Sequence, residues 1–289
     1  MIGQTEPAYL AAAERQVQHL LTAVPRWPNG AISHREAVAE LWADFVYMAP
    51  PALAYWAVQT RNASLLEAAV RQCALYRDVL GVGPPGPGSG NASGLWHHII
   101  GPEDQDLGIW STGNAWAAAG MSRVLATAVK SGMAGAAAGA AGGQIRHGLD
   151  GLRKMIRAII DAAIALDRAE PDEPLLRNYL NDTTWFGELS GTTLLTATTY
   201  RMVQLEPAEF GPEYLHWADS KRHAITERIG ADGLLSPVVN PLDWSDRTPA
   251  TESPEAESFA VLMFAAYRDS CQDGKAEEFR RSSMSGHIP

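Results

Sequence analysis

Four loop-to-helix junctions recur along the chain at nearly equal spacing, and this pattern constrains the fold more than any other feature. Each long loop, rich in Gly, Pro and Asp, ends in an aromatic or polar cluster at the start of a helix rich in small residues. The junctions are marked by Trp42, Trp110, Trp185 and Ser258, which are separated by 68, 75 and 73 residues. This period is the length of one helical hairpin with its loops. It predicts an all-α toroid whose inner helix ends form a cup, with an irregular helical bundle as the alternative.

Helical periodicity dominates the sequence, whereas the alternating pattern of strands is nearly absent. It predicts helices over residues 7–24, 41–60, 64–80, 113–130, 144–166, 189–205, 212–229 and 254–270. Pro50 and Pro51 are expected to kink or restart the second helix, because proline lacks an amide hydrogen and clashes with the preceding turn. We predict one domain over residues 1–272 and a polar C-terminal tail over residues 273–289.

The composition argues against several classes of function. The 33 acidic and 23 basic residues give a net charge of -10, which repels nucleic acid and anionic membranes. No apolar run reaches the ~20 residues that a transmembrane helix needs. Two cysteines, Cys73 and Cys271, are too few for a disulfide framework and lack the spacing of a zinc site. Since the sequence also has no phosphate loop and no dinucleotide fingerprint, we expect no metal and no cofactor.

Three N-x-S/T sequons begin at Asn62, Asn91 and Asn181. Such sequons suit a secreted protein whose leader has been removed, although the first residues lack the basic start and apolar run of a signal peptide. Two locations therefore stay open: secretion after removal of a leader, or the cytoplasm.

Residues 94–116 hold the richest cluster of chemical groups: two histidines, three acidic residues, three tryptophans and one asparagine. Loops carry function more often than cores, and tryptophans beside polar groups are typical of sugar sites, where aromatic faces stack on pyranose rings. The predicted substrate-binding residues are Trp42, His97, His98, Trp110, Asn114, Trp116 and Glu188. The alternatives are structural: the tryptophans anchor helix starts, the histidines make hydrogen bonds, and Glu188 caps a helix.

Asp44 lies in an otherwise apolar helical stretch. A carboxylate there loses solvation, so it must be paired or have a raised pKa. This makes Asp44 a candidate acid if it faces the cup. A helix cap or a solvent-facing side chain is the alternative.

Seven short motifs occur in a fixed order over about residues 25–269. They are Pro25-Arg-Trp-Pro-Asn-Gly followed by His34, Trp42-Ala-Asp-Phe-Val-Tyr-Met-Ala-Pro-Pro, Gly94-Leu-Trp-His-His, Trp110-Ser-Thr-Gly-Asn-Ala-Trp, Ser190-Gly-Thr-Thr, Asp232-Gly and Pro254-Glu-Ala-Glu-Ser-Phe. Together they resemble glycoside hydrolase families 88 and 105, the unsaturated uronyl hydrolases, and especially fungal proteins similar to unsaturated rhamnogalacturonyl hydrolase.

This resemblance implies an (α/α)6 toroid that acts, without metal or cofactor, on a 4,5-unsaturated uronic acid. This unsaturated sugar would stand at the non-reducing end of a pectin- or glycan-derived oligosaccharide. A carboxylic acid protonates C4, water adds at C5, and the resulting hemiketal releases the neighbouring sugar. Asp44 matches the first active-site aspartate of the family, and Trp110, Asn114 and Trp116 match the motif that lines the sugar site.

The chain departs from the family at three points. Where a second aspartate should follow the histidine, residues 99–101 are Ile-Ile-Gly, and Asp106 is the acid nearest the next motif. Thr112 stands in place of an arginine that supplies a cation. The candidates to compensate are His97, His98, Arg26 and Arg247. The N-terminal helix pair of the family has no counterpart, so the ring is expected to be incomplete or to be completed by another chain in a homo-oligomer.

We therefore expect a hydrolase of unsaturated uronyl oligosaccharides with altered catalytic residues, in which Asp44 and Asp106 share the catalytic role and His98 contacts the substrate carboxylate. Two alternatives remain. One is a noncatalytic sugar-binding descendant, because the second acid and the arginine are missing. The other is a repurposed toroid that catalyses proton transfer or cyclisation on a small metabolite. In each case the expected partner is an oligosaccharide or another small molecule.

Overall fold

The computed structural model describes residues 6–83, 92–135 and 139–285, so the sequon at Asn91 lies outside it. Its helices are α1 (Pro7–Thr22), α2 (Phe45–Gln59), α3 (Ala63–Leu80), α4 (Ser111–Ser131), α5 (Gly139–Ala169), α6 (Leu189–Leu205), α7 (Pro212–Thr226), α8 (Pro254–Gln272) and α9 (Gly274–Ser285). Two short strands, β1 (Leu41–Trp42) and β2 (Ile99–Ile100), pair antiparallel. Among these described helices, none has the length and apolar character needed to cross a bilayer.

The predicted helices agree with the observed ones within a few residues, and the prediction for α6 coincides with it. The predicted helix over residues 41–60 begins too early, because its first two residues pair with β2 as strand β1. α2 then starts at Phe45 and continues through Pro50 and Pro51, both of which are buried. Most of the predicted C-terminal tail forms α9.

The chain divides into two compact units. Unit 1 comprises Met1–Gly81, Trp96–Leu107 and Gly120–Ile156, and unit 2 comprises Val82–Leu95, Gly108–Ala119 and Arg157–Pro289. Each unit has its own buried side chains. The prediction of a single domain over residues 1–272 stays a prediction.

In unit 1, α2 packs against α1 and against α3. Phe45 at the start of α2 stacks on Tyr76 of α3, with 5.1 Å between ring centroids. The Tyr76 hydroxyl donates to the carbonyl oxygen of Ile32 at 2.6 Å, and burial raises the pKa of Tyr76 well above its ordinary value. This buried contact fixes the start of α2, directly after Asp44.

In unit 2, α6 is buried along residues 189–200 and packs against α7 and α8. Its five threonines are buried, and four of their hydroxyls donate to backbone carbonyl oxygens, whereas Oγ1 of Thr193 has no hydrogen-bond partner among the described residues. Thr196, Thr198 and Thr199 donate to carbonyl oxygens four residues earlier, at 2.7, 2.8 and 2.9 Å. Because buried hydroxyls are costly unless they are hydrogen-bonded, these bonds allow a threonine-rich helix to lie in a core.

Gly120 of α4 lies against the backbone of α2. A Cβ atom added there would stand 2.1 Å from the carbonyl oxygen of Val46. We predict that Gly120→Ala lowers the free energy of unfolding by about 1–3 kcal/mol, because the two helices must move apart. Thermal unfolding followed by circular dichroism measures the loss.

The matched control is Gly151→Ala in α5, where an added Cβ would meet no atom within 4 Å. There the same substitution is expected to stabilise the helix by up to about 1 kcal/mol. Equal melting temperatures for Gly120→Ala and the wild type would contradict the close approach of α2 and α4.

Candidate active site

The pairing of β1 with β2 brings two of the sequence clusters together in unit 1. Trp42 lies opposite Ile99, and the amide of Ala43 donates to the carbonyl oxygen of His98 at 2.9 Å. Asp44 comes next in the chain, as the residue before the first turn of α2. The backbone therefore places Asp44 beside His98.

The loop after β2 folds back and brings a second carboxylate to the same histidine. Ile99 and Asp106 exchange both backbone hydrogen bonds, at 2.8 and 3.1 Å. The Nδ1 atom of His98 then lies 3.0 Å from Oδ2 of Asp106, and its Nε2 atom lies 3.5 Å from Oδ2 of Asp44. We call Asp44, His98 and Asp106 the His98 cluster.

Burial and charge act in opposite directions on His98, whose side chain is 0% exposed. Burial lowers the pKa of the imidazole, but the hydrogen bonds and charges of Asp106 and Asp44 outweigh it, so the pKa is raised. The His98 cluster therefore favours a protonated imidazole between two carboxylates. Asp44 is 14% exposed, and its side chain makes no capping hydrogen bond to α2.

Trp42 forms one wall of this cluster. Its ring stacks on His34, with 4.8 Å between centroids and an interplanar angle of 15°, and meets the edge of His98 at 5.5 Å. The guanidinium carbon of Arg35 lies 4.6 Å from the centre of the Trp42 ring. Burial lowers the pKa of His34, so its imidazole favours the neutral form at neutral pH. The tryptophan is thus fixed on several sides.

Glu40 ties the Trp42 side chain to the loop that carries Asp106. Its fully buried carboxylate accepts hydrogen bonds from Trp42 Nε1 at 2.7 Å and from the amides of Glu103 and Asp104, both at 2.9 Å. Burial raises the pKa of Glu40, but these donors outweigh it and the pKa is lowered. A glycine is required beside it, because a Cβ atom on Gly101 would stand 2.1 Å from the Glu40 Cγ atom.

Glu40 and His34 were missed as site residues by the sequence analysis. A signal for Glu40 is present: it stands two positions before Trp42, and side chains two apart in an extended segment lie on the same face. A buried acid in that register predicts a partner such as the indole N–H. No comparable signal marks His34, whose position depends on the fold.

His97 lies outside the His98 cluster, although the sequence predicts both histidines as substrate contacts. Its Nδ1 atom is 2.6 Å from the carbonyl oxygen of Leu107, and the ring is partly exposed. Successive side chains of an extended segment point to opposite sides, which explains why the two histidines separate.

Arg26, a candidate cation, donates to the carbonyl oxygen of Leu21 at 2.9 Å.

In unit 2, Trp110 belongs to an aromatic cluster with Tyr179, Trp185 and Val239. Its Nε1 atom donates to Oδ1 of Asn178 at 2.9 Å, and 2% of the residue is exposed. Trp110 and Trp185 thus belong to the same buried cluster. Trp42 belongs to unit 1, so the expectation that all three line one cup stays a prediction.

Two further residues predicted to bind substrate make defined contacts in unit 2. Asn114 is buried, and its amide nitrogen donates to the carbonyl oxygen of Trp110 at 2.9 Å. Trp116 donates from Nε1 to Oε1 of Glu255 at 3.0 Å and packs edge-on against Phe259 at 4.7 Å. Asn114 therefore makes a buried contact one helical turn back, whereas Trp116 keeps part of its surface exposed.

Glu188 links the starts of α4 and α6. Its buried carboxylate accepts from the amides of Ser190 and Gly191, each at 2.6 Å, and from the Ser111 hydroxyl at 2.7 Å. Burial raises the pKa of Glu188, and these hydrogen bonds offset part of that shift. The Thr112 hydroxyl also points to Glu188, at 3.4 Å. The geometry is that of a helix cap that also fixes a neighbouring helix.

Arg247, another candidate cation, lies over the Trp185 ring in unit 2. Its guanidinium carbon is 4.4 Å from the ring centre, and Nη1 donates to the Thr184 hydroxyl at 2.9 Å.

Within residues 6–83, 92–135 and 139–285, no three His, Cys, Asp or Glu side chains are placed to hold a metal ion.

Comparison with known proteins agrees with the resemblance found in the sequence. Residues 2–133 match the family model of Glycosyl Hydrolase Family 88. A search of curated proteins found no match.

Two solved structures described as possible members of the GH105 family are similar over 91% of this chain, at 21% identity. The protein from Salmonella enterica serovar Paratyphi A has a TM-score of 0.72, and that from Klebsiella pneumoniae has 0.73. The unsaturated glucuronyl hydrolase of Bacillus sp. GL1 is similar over 89% of this chain, at 12% identity and a TM-score of 0.59. The chain spans 66% of the length of each of these three proteins. The comparisons confirm the predicted α/α toroid class of fold, and they show that the chain is similar to glycoside hydrolases of families 88 and 105.

Proposed function

We propose that this chain is a glycoside hydrolase that acts on oligosaccharides ending in an unsaturated uronic acid, by hydration of the enol ether. The observation that carries the proposal is the His98 cluster, a buried imidazole with a carboxylate near each ring nitrogen, which together raise its pKa. All of its residues fall within the segment that matches Glycosyl Hydrolase Family 88. A structural relative is described as an unsaturated glucuronyl hydrolase responsible for the degradation of glycosaminoglycan, which supports this class of substrate.

Asp44 is the proposed acid. His98 is fully buried, whereas both carboxylates keep part of their side chains exposed, 14% for Asp44 and 20% for Asp106. Asp44 is chosen because it matches the first active-site aspartate implied by the sequence resemblance. A proton passes from His98 Nε2 to the Asp44 carboxylate, which lies 3.5 Å away. Proton transfer by a side chain requires that donor and acceptor come within hydrogen-bond reach, and such distances shorten when a ligand binds. Trp42 lies beside the cluster, is 8% exposed, and has His34 and Arg35 against its ring, so its role here is to support the cluster.

In the proposed reaction, Asp44 is the group that contacts the substrate. Asp44 gives its proton to C4, the electron pair of the C4=C5 bond forms the new C–H bond, and C5 becomes an oxygen-stabilised cation. Water attacks C5 and returns a proton to Asp44. Opening of the resulting hemiketal breaks the bond between C5 and the ring oxygen and leaves a ketone at C5 and a hemiacetal at C1. Collapse of this hemiacetal to an aldehyde breaks the glycosidic bond, and the neighbouring sugar leaves as an alcohol.

We predict that Asp44→Asn reduces kcat on an unsaturated uronyl disaccharide by about 10²–10⁴-fold, the range of general acid catalysis. Loss of the near-ultraviolet absorbance of the conjugated enol acid measures the rate. The matched control is Asp150→Asn, at a side chain that is 64% exposed on α5. It makes the same chemical change and is expected to keep wild-type activity.

A wild-type chain that does not turn over such disaccharides, or an Asp44→Asn variant as active as the wild type, would contradict the proposal. Calorimetry separates the noncatalytic alternative. Binding of both saturated and unsaturated oligosaccharides without product would assign the chain to sugar binding instead of hydrolysis.

A further inference from the structure

We propose that Asp106 is a positioning residue that acts through His98 and does not itself reach the reacting atoms. The inference deepens the proposed function and rests on it for the catalytic role of the cluster. It differs from the expectation that Asp106 shares the catalytic role with Asp44.

Asp106 is fixed by backbone pairing before its side chain makes any contact. Its amide and carbonyl both bond to Ile99, at 3.1 and 2.8 Å. Two residues earlier in the same loop, the amide of Asp104 bonds to the buried Glu40 carboxylate at 2.9 Å. The loop therefore holds the Asp106 carboxylate at one place, against one edge of the imidazole.

The two nitrogen atoms of His98 have unequal partners. Nδ1 lies 3.0 Å from Asp106, within hydrogen-bond distance, whereas Nε2 lies 3.5 Å from Asp44. The closer carboxylate holds the proton on Nδ1, and the hydrogen bond at one ring nitrogen decides what the other can do. The second proton, on Nε2, then faces Asp44. Asp106 thus orients the His98 ring and favours its protonated form. The other ring nitrogen, Nε2, then carries a proton towards Asp44.

The charged and titratable groups around His98 come from three parts of unit 1. Asp44 precedes α2, Asp106 lies in the loop after β2, and His34 belongs to the segment before β1. Burial lowers the pKa of His34, so at neutral pH it adds little positive charge. The two carboxylates are therefore the groups that favour the imidazolium, and Asp106 is the nearer one.

A pH titration of the histidine ring signals by NMR, on the full chain, tests the inference without any substrate. In the wild type we expect His98 to titrate above its ordinary pKa of 6.5. Asp106→Asn should lower the pKa of His98. The matched control is Asp104→Asn in the same loop, whose carboxylate pairs with Arg35. It should leave the His98 titration as in the wild type.

Kinetics distinguish a positioning role from a catalytic one. Asp106→Asn should lower kcat by about 10- to 100-fold with little change in KM, the size of effect seen for carboxylates that hold metal-bound histidines. The pH at which activity falls should move down with the pKa of His98, and Asp106→Glu should restore part of kcat. A loss as large as in Asp44→Asn, with an unchanged His98 titration, would overturn the inference. If the wild type shows no turnover, the proposed function fails, and the titration still decides what Asp106 does to His98.

The stability of the wild type gives a second measurement if Asp106→Asn does not fold. A raised pKa in the folded state means that the His98 contribution is fully present below pH 6.5 and is lost as the pH rises through the raised value. Urea unfolding from about pH 6 to about pH 9 should therefore show a decline in the free energy of unfolding. His98→Gln should remove the His98 part of that decline. An identical decline in both proteins would contradict a protonated His98 held by the two carboxylates.

Discussion

The pairing of one buried imidazole with two carboxylates is the interaction on which unit 1 depends. A charged side chain taken out of water costs several kcal/mol unless opposite charges replace the solvent. His98 is fully buried, so its environment must include the carboxylates of Asp44 and Asp106. A sheet of two residues per strand and one folded-back loop are enough to keep these three groups together. The carboxylates that stabilise the buried His98 are therefore the ones that take part in the proposed chemistry.

Glu40 is a second buried charge in unit 1, and its surroundings stabilise it in a different way. Its carboxylate accepts from an indole N–H and from two backbone amides, so neutral donors carry most of its stabilisation. Neutral dipoles fixed by the backbone do not titrate, and this makes Glu40 a constant anchor. The Trp42 ring and the loop that carries Asp106 share that anchor, which couples an aromatic wall to a positioning carboxylate.

Helix periodicity was sufficient to predict most of the architecture, including the bounds of α6, because apolar spacing and caps are local signals. It failed at residues 41 and 42, where pairing with a distant segment decided the conformation. Local signals also predict part of the candidate site. Asp44 stood out as an acid in an apolar stretch, and His98 as part of a polar cluster. Other contacts depend on how the chain folds back and leave no local signal. They are the stacking of His34 on Trp42 and the hydrogen bond from Ser111 to Glu188, two residues that are 77 positions apart.

The close approach of Gly101 to Glu40 limits how this site could evolve or be redesigned. The sequence segment after His98 is where the related hydrolases are expected to carry their second acid. A carboxylate cannot simply be grafted onto position 101, because even a methyl group there would overlap the Glu40 side chain. Any such graft would need a smaller residue at position 40 in the same step, and that exchange would release the indole of Trp42 and the neighbouring loop. Each single change is therefore unfavourable on its own: a side chain at position 101 overlaps Glu40, and a smaller residue at position 40 leaves Trp42 and the amides of residues 103 and 104 without their shared acceptor.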